Sequence, residues 1–169
     1  ILYEAVTMDN NNDIRKLGYS NELFFYTLVG LNTFNIQFQY DFHDDIDIEC
    51  MKSAVRESII FYPEFKIRVF RMDGQFFSER NDDPVPFFQG IGDEHLIGSD
   101  ETNGYLFYIA YDKRSLVISY FHGLSDARGI LSFMSSVLFL YARNIGKPLT
   151  REETEELKGK IRLCKEDAL

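Results

Sequence analysis

The 169-residue chain is predicted to form one α+β domain, spanning residues 1–169, in which strands and helices are packed in layers. Several segments alternate apolar and polar residues, which is typical of half-buried strands, and others repeat apolar residues at helical spacing. The strands and helices do not alternate steadily, as they would in a doubly wound sheet. A chain of this length buries roughly two thirds of its unfolded surface. Its 16 Phe and 10 Tyr predict a core rich in aromatic rings.

The first clear strand is predicted in residues 33–42, after a polar loop at residues 9–13. The stretch that begins at Arg15, between these two segments, fits neither a helix nor a strand clearly. Residues 33–42 alternate strictly, and their apolar face consists of Phe34, Ile36, Phe38, Tyr40 and Phe42. This pattern indicates a half-buried strand.

A helix is predicted next, with Asp47 as its N-cap and Pro63 beyond its last turn. Its apolar stripe, at a spacing of three and four residues, consists of Cys50, Met51, Ala54, Val55, Ser58 and Ile59. The acidic run at residues 43–47 is compatible with a metal site, but carboxylates before a helix also favour its positive end. The helix interpretation is preferred.

Two hairpins are predicted in the centre of the chain. In the first, residues 65–69 and 75–79 flank Asp73 and Gly74, whose residue types suit a tight turn. In the second, residues 105–111 and 116–121 flank a polar turn.

The segment between the hairpins, residues 81–104, contains Gly and Pro among acidic residues. This composition predicts a long surface connection. His95 lies within it and is expected to be exposed to solvent.

Two helices are predicted to follow the second hairpin. The first begins at Gly129 and ends near Gly146 and Pro148. Its helically spaced apolar residues are Ile130, Phe133, Met134, Val137, Leu138 and Tyr141. Residues 150–153 have the pattern of a capping box and predict a last, charged helix.

The charge of the chain argues against nucleic acid as a partner. The formal net charge is −9, and no segment clusters Lys and Arg with interleaved aromatic residues. Cys50 and Cys164 lie far apart and lack CxxC spacing, so two reduced thiols are expected rather than a disulfide or a metal site.

The location of the protein is also predicted from the sequence. No run approaches the ~18 apolar residues of a membrane span, and the amino end lacks the features of a secretory signal. A cytoplasmic protein is therefore expected. Because the first residue is not Met and the last segment ends within a charged helical pattern, the chain is expected to be a piece of a longer polypeptide.

His122 is the candidate catalytic residue, because it lies where a strand pattern ends and a helical pattern begins. Imidazole accepts a proton near neutral pH when neighbouring groups hold its ring, and Asp126 is a candidate for that task. His122 also continues the apolar face formed by residues 116, 118 and 120. A hydrogen-bonded core histidine would show the same spacing, and spacing alone favours that structural role.

The surroundings of His122 resemble the chloramphenicol acetyltransferase-like superfamily, whose signature is HxxxDG at the end of a strand. Here the signature is His122-Gly-Leu-Ser-Asp126-Ala127. Arg15-x-Leu-Gly-x-x-x-Glu22 resembles the opening motif of the alcohol acetyltransferase branch, and residues 61–69 are similar to the family's helix-to-strand junction. The element order is similar to that of the amino-terminal half of such enzymes, which include the condensation domains of peptide synthetases.

The resemblance implies a layered fold with a mixed sheet packed with helices, and an acyltransferase activity. His122 would remove a proton from an alcohol or amine as that acceptor attacks an acyl thioester. Asp126 would be structural and pair with an arginine, for which Arg15, Arg68 and Arg128 are candidates. Gly129 would support the same loop.

The resemblance also implies which molecules take part in the reaction. The co-substrate would be an acyl-CoA or the phosphopantetheine thioester of a carrier protein, with no bound cofactor and no metal. The partners would be a small alcohol or amine acceptor, the acyl donor, and either a carboxy-terminal half beyond Leu169 or a second copy of the chain. The alternative function is a non-catalytic module that keeps the fold and binds a ligand or a partner protein.

One residue departs from the family pattern: Ala127 replaces the glycine that follows the aspartate. If that position requires a positive φ, alanine would be strained there. The loop would then differ in shape.

Overall fold

The structure is a computed structural model that describes residues 14–17, 25, 35–157 and 160–162. The strands are β1 Arg15–Lys16, β2 Asn35–Asp41, β3 Ile67–Met72, β4 Gln75–Arg80, β5 Phe87–Gln89, β6 Phe107–Tyr111 and β7 Ser115–Phe121. The α-helices are α1 Ile48–Ser58, α2 Ala127–Asn144 and α3 Arg151–Leu157. Short 3-10 helices are Ile59–Phe61, Pro63–Phe65 and Asp100–Thr102. The α+β class, both predicted hairpins and the predicted helices are confirmed. The polar loop at residues 9–13, Phe34, Glu22 and Cys164 lie outside the described residues.

The chain divides into two compact units. One unit, here called the sheet unit, comprises residues 1–44 and 64–124 and contains all the described strands. The other, here called the helix unit, comprises residues 45–63 and 125–169 and contains α1, α2 and α3. The predicted single domain therefore consists of two units.

The first sheet of the sheet unit has the strand order β1-β4-β3, and its pairs are antiparallel. Strands β3 and β4 form the first predicted hairpin. Its turn residues Asp73 and Gly74 have φ angles of 50° and 78°. Two successive positive φ angles are typical of the tight hairpin turn that the Asp-Gly pair predicts.

The second sheet has the strand order β2-β7-β6-β5 and is mixed, because β5 pairs parallel with β6 while the other pairs are antiparallel. Strand β7 lies between β2 and β6, and each residue from Leu116 to Phe121 is buried. Strand β2 matches its prediction, since Ile36, Phe38 and Tyr40 are partly buried and alternate with exposed residues.

The prediction of a long surface connection at residues 81–104 is wrong in part. The segment contains β5 and a 3-10 turn, and it buries Asn81, Ile97 and Thr102. The Thr102 hydroxyl accepts a hydrogen bond from Gly98 N at 3.0 Å and lies 3.1 Å from Tyr105 O. Hydrogen bonds within the segment therefore satisfy polar groups that composition alone assigns to solvent.

The core of the sheet unit contains residues from both sheets. It consists of Phe25, Val69, Phe76, Ile97, Leu106, Tyr108, Ala110, Val117 and Phe121. The ring of Phe25 connects the two sheets, with ring centroids 5.8 Å from Phe76 and 5.2 Å from Phe121. These are ordinary aromatic contact distances, and the aromatic core agrees with the composition.

In the helix unit, Asp47 caps α1 as predicted. Its Oδ1 accepts a hydrogen bond from Cys50 N at 3.0 Å. Helices α1 and α2 are linked by a bond from Asp47 N to the hydroxyl of Tyr141 at 3.0 Å and by an ion pair between Arg143 and Glu57 at 2.6 Å. The acidic residue before α1 therefore acts as a cap, as the preferred interpretation predicted.

Helix α3 begins with the predicted capping box. The Glu153 carboxylate accepts a hydrogen bond from Thr150 N at 2.8 Å, and the Thr150 hydroxyl accepts one from Glu153 N at 3.3 Å. None of the helices formed by the described residues is both long and apolar enough to cross a membrane. Cys50 is a free thiol.

Candidate functional site

His122 is the first residue after β7, at the end of a strand that has a partner on each side. Leu124 N donates a hydrogen bond to Phe121 O at 2.9 Å, which closes a four-residue turn with His122 at its first central position. Phe121 belongs to the core cluster and Leu124 packs against it. Both ends of the turn are therefore anchored in the sheet unit, and His122 is partly buried between them.

Asp126 is the N-cap of α2, with φ −76° and ψ 174°. Its Oδ1 accepts a hydrogen bond from Gly129 N at 2.8 Å. An Asp in this position satisfies an amide that the helix itself leaves without a partner. The structure therefore joins Asp126 and Gly129, two of the predicted supporting residues, at the beginning of α2.

Gly129 lies close to Ser125 because it has no side chain. A Cβ added to Gly129 would lie 2.1 Å from Ser125 Oγ, much closer than van der Waals contact. Ser125 Oγ donates a hydrogen bond to Asp126 O at 3.1 Å. The glycine thus leaves space for the side chain that precedes the helix cap.

Ala127 is the first residue of α2. Among the described residues other than glycine, positive φ angles occur at Asp73 and Asn103. Alanine at position 127 therefore does not adopt the left-handed conformation and is unstrained there. Arg128 follows it as an exposed residue of the first helical turn.

The candidate arginines Arg15 and Arg68 lie in the three-stranded sheet. Arg15 is exposed in β1 and is the register partner of Ser78. Arg68 pairs across the hairpin with Glu79, with Nε and Oε1 2.5 Å apart, and its NH1 lies 3.8 Å from a carboxylate oxygen of Asp83. Carboxylates of the sheet unit therefore hold the Arg68 guanidinium.

The predicted site residues are divided between the two units. His122, Arg15 and Arg68 belong to the sheet unit, and Asp126 and Gly129 belong to the helix unit. The chain passes from one unit to the other between Leu124 and Ser125. The catalytic role of His122 and the supporting roles of the other residues stay predictions.

The expectation that His95 is exposed to solvent is wrong. Its side chain is 14% exposed and stacks on Phe88, with ring centroids 3.5 Å apart. His95 Nδ1 is 2.5 Å from a Glu101 oxygen, and this bond is the main reason that the pKa of Glu101 lies below its ordinary value. The partners lie seven residues before and six residues after His95, so no single periodic pattern in the sequence identifies them.

The position of His122 suits proton transfer. Histidine is the side chain best suited to general acid–base chemistry when neighbouring groups hold its ring. His122 as a residue is partly buried. His122 therefore stays a candidate for proton transfer at the end of β7.

Comparison by sequence finds no relatives: no family model and no curated protein matches the chain. Comparison by structure finds solved structures with a similar fold. A variant of the starter condensation domain of rhizomide synthetase RzmA, in complex with C8-CoA, has a TM-score of 0.63 and 15% sequence identity. The match covers 80% of this chain and 37% of that chain.

Two further solved structures are similar. The epimerization domain from the third module of tyrocidine synthetase B has a TM-score of 0.63 and 14% identity, over 82% of this chain and 36% of that chain. The SgcC5 protein from Streptomyces globisporus has a TM-score of 0.59 and 17% identity, over 85% of this chain and 42% of that chain.

The chain spans about two fifths of the length of these solved structures. At such low identity the likeness establishes the fold, and function must be argued from the site. The mixed sheet packed with helices agrees with these neighbours. The chain therefore has the chloramphenicol acetyltransferase-like fold of condensation domains.

Proposed function

We propose that the chain is part of an acyltransferase that moves an acyl group from a thioester to an alcohol or an amine, with His122 as the general base. The observation that carries the proposal is the placement of His122 in an anchored turn at the end of β7 in a condensation-type fold. The sequence signature His122 to Asp126 supports it independently. The O-acyl reaction of the alcohol acetyltransferase branch is the preferred form.

The reaction balances with one proton carried by His122. The imidazole takes the proton from the O–H or N–H of the acceptor as the acceptor attacks the thioester carbonyl carbon. A new C–O or C–N bond forms, the C–S bond breaks, and the imidazolium returns the proton to the leaving thiolate. A positioned base of this kind contributes about 10² to 10⁴ in rate.

Asp126 and Gly129 support the reaction indirectly in this proposal. They fix the first turn of α2, into which the chain leads directly after the His122 turn. Because neither residue has a proton-transfer task, both are positioning residues.

The acyl donor is proposed to be an acyl-CoA or the phosphopantetheine thioester of a carrier protein. The C8-CoA named for the rhizomide synthetase domain supports a coenzyme A thioester. Because the chain spans about two fifths of such structures, the rest of the thioester site is proposed to come from further residues of a longer polypeptide or from a second copy.

The test is release of free thiol from a panel of acyl-CoA donors with mixed alcohols and amines. It uses this chain and the longest natural polypeptide that contains it, each compared with its His122→Ala variant. His43→Ala is the matched control, because His43 is an exposed histidine outside the proposed site. We expect acceptor-dependent release that falls at least about a hundredfold in His122→Ala and is unchanged in His43→Ala.

The other outcomes separate the alternatives. Release from the longer polypeptide alone would show that this chain supplies half of an active site. Binding of thioesters or carrier proteins without acyl transfer, with His122→Ala equal to the parent, would favour a non-catalytic binding module. Near-normal turnover in His122→Ala would overturn the assignment of the base.

A further inference from the structure

Residues 160–162, here called the strap, are held within the helix unit by two backbone contacts. Ser132 Oγ of α2 donates a hydrogen bond to Lys160 O at 2.5 Å. Two residues later in the strap, Arg162 N donates a hydrogen bond to the hydroxyl of Tyr62 at 3.0 Å. The strap is therefore fixed at its first and at its last residue.

The hydroxyl of Tyr62 links the strap to helix α2. Tyr62 is fully buried, and its hydroxyl donates a hydrogen bond to Ser132 O at 2.9 Å. The same hydroxyl lies 2.7 Å from Ser136 Oγ, one turn further along the helix. Because α2 fixes this hydroxyl independently of the strap, the acceptor for Arg162 N is in place before the strap closes.

The side chain of Arg162 adds a third contact. Its guanidinium carbon lies over the ring of Tyr62, 4.9 Å from the centroid, which is within the range of a cation–π interaction. Lys160 and Arg162 are exposed as residues, whereas Tyr62 is buried. The strap therefore lies at the surface and holds on through one buried tyrosine and one serine.

These contacts allow the strap to open without unfolding the helix pair. Segments with exposed side chains and few buried contacts open locally at a small fraction of the free energy of global unfolding. When the strap leaves, the Tyr62 hydroxyl keeps Ser132 and Ser136 as partners. Opening therefore leaves no buried hydroxyl of this cluster without a hydrogen bond.

The closed strap occupies the groups that a trypsin-like protease needs. Such a protease binds a Lys or Arg side chain in its specificity pocket and attacks the carbonyl that follows. The carbonyl oxygen of Lys160 is already bonded to Ser132, and the Arg162 side chain lies over Tyr62. The closed form therefore hides both cleavage sites.

We propose that the strap is a conformational latch, held by the Tyr62 hydroxyl and Ser132 Oγ, whose local opening controls proteolytic cleavage of the chain after Lys160 and after Arg162. This device goes beyond the acyl-transfer proposal and does not depend on it.

The test is limited digestion of the folded chain with trypsin, with fragments identified by mass spectrometry so that the rate after each basic residue is measured. Tyr62→Phe keeps the ring and removes the acceptor for Arg162 N, and Ser132→Ala removes the donor to Lys160 O. When opening and closing are fast, the cleavage rate follows the population of the open form. We expect each variant to accelerate cleavage of the strap about twofold to tenfold, the range of one net hydrogen bond.

Two controls separate the latch from general destabilisation. Lys113 and Arg114 are exposed in the turn between β6 and β7, and cleavage after them is expected to be the same in the parent and in both variants. Tyr105→Phe removes a buried hydroxyl from the sheet unit and is expected to leave the cleavage rate of the strap unchanged.

The urea dependence of the parent is a second measurement, and it decides the question even if Tyr62→Phe does not fold. Local opening exposes little surface, so strap cleavage is expected to rise much less steeply with urea than global unfolding does. An equal steepness, or strap cleavage unchanged in Ser132→Ala, would overturn the proposal. An equal acceleration in Tyr105→Phe would also overturn it. Because no thioester is present, these results are independent of the acyl-transfer assay.

Discussion

Tyr105 shows how one buried hydroxyl organises a loop of the sheet unit. Tyr105 is 1% exposed, and its hydroxyl, which has a single proton to donate, lies 2.8 Å from Asp83 O and 3.2 Å from Asn81 O. Burial, followed by the nearby carboxylates of Asp83 and Asp82, raises the pKa of Tyr105 to about 12. The folded protein therefore favours the neutral phenol.

The raised pKa of Tyr105 predicts a loss of stability at alkaline pH. The phenol ionises in the unfolded chain near its ordinary pKa of 10.0 and in the folded chain at about 12. The contribution of this pKa shift to the free energy of unfolding is therefore present below pH 10, and it is lost as the pH rises toward about 12. The free energy of unfolding, measured with denaturant between pH 10 and about 12, is expected to fall. In Tyr105→Phe, the part of this fall that comes from Tyr105 is expected to be absent. An identical fall in Tyr105→Phe would contradict the account.

The close approach of Gly129 and Ser125 predicts that substitutions at these two positions have coupled effects on the free energy of unfolding. Gly129→Ala places a methyl group against Ser125 Oγ and is expected to destabilise the chain. In a Ser125→Ala background the same change is expected to be neutral or stabilising, because alanine is the better helix former by about 1 kcal/mol. A double-mutant cycle of unfolding free energies measures the coupling. Additive effects would show that Ser125 moves away without cost.

At the residue scale, the sequence predicted those roles that depend on near neighbours. Asp47 and Thr150 act within three residues of themselves, and cap positions have recognisable residue types. Asp126 also caps a helix, whereas its sequence context predicted a pairing with an arginine and a helix that begins at Gly129. His95 was mispredicted because its contacts with Phe88 and Glu101 depend on how a whole loop folds back.

At the element scale, the N-cap of α2 predicts two different results for two substitutions. Asp126→Ala removes the acceptor for Gly129 N and is expected to cost about 1 kcal/mol of unfolding free energy. Asp126→Asn keeps a capping oxygen and is expected to cost much less. Asp47→Ala, which removes the cap of α1, is the matched control.

The same variants distinguish a positioning residue from a structural one. If Asp126 positions the His122 turn, Asp126→Ala is expected to lower kcat in the longest natural polypeptide while Asp47→Ala leaves kcat unchanged. Equal kcat in both variants would restrict Asp126 to helix stability. The comparison requires both variants to be folded at the assay temperature, which unfolding curves establish.

Element prediction succeeded where a pattern was long and failed where it was short. The strand β2 and the helix α2 each contain enough residues to show their period, and the turn at Asp73 and Gly74 has the required residue types. Strand β5 has three residues and pairs parallel with β6, so it shows no period of its own. Its existence depends on a distant neighbour in the sheet, which local sequence does not encode.

At the scale of the whole molecule, the chain spans about two fifths of its structural neighbours. Ile60 and Leu131 of the helix unit are 69% and 43% exposed. Large apolar patches promote association, and a chain that spans about two fifths of its structural neighbours is expected to expose part of such a patch. Dimers or larger species are therefore expected at high concentration. Sedimentation equilibrium over a range of concentrations tests this, with Ile60→Asp and Leu131→Asp expected to reduce association. A strictly monomeric profile of the parent chain would contradict it.

Chemical rescue tests the central claim, that His122 is the base of an acyl transfer, most directly. The measurement is acceptor-dependent thiol release by the His122→Ala variant of the longest natural polypeptide, with increasing concentrations of free imidazole. If His122 carries the proton, imidazole is expected to restore turnover in this variant in a saturable manner and to leave the parent and His43→Ala unchanged. Turnover that is already near normal in His122→Ala, or that imidazole raises equally in the parent, would contradict the claim.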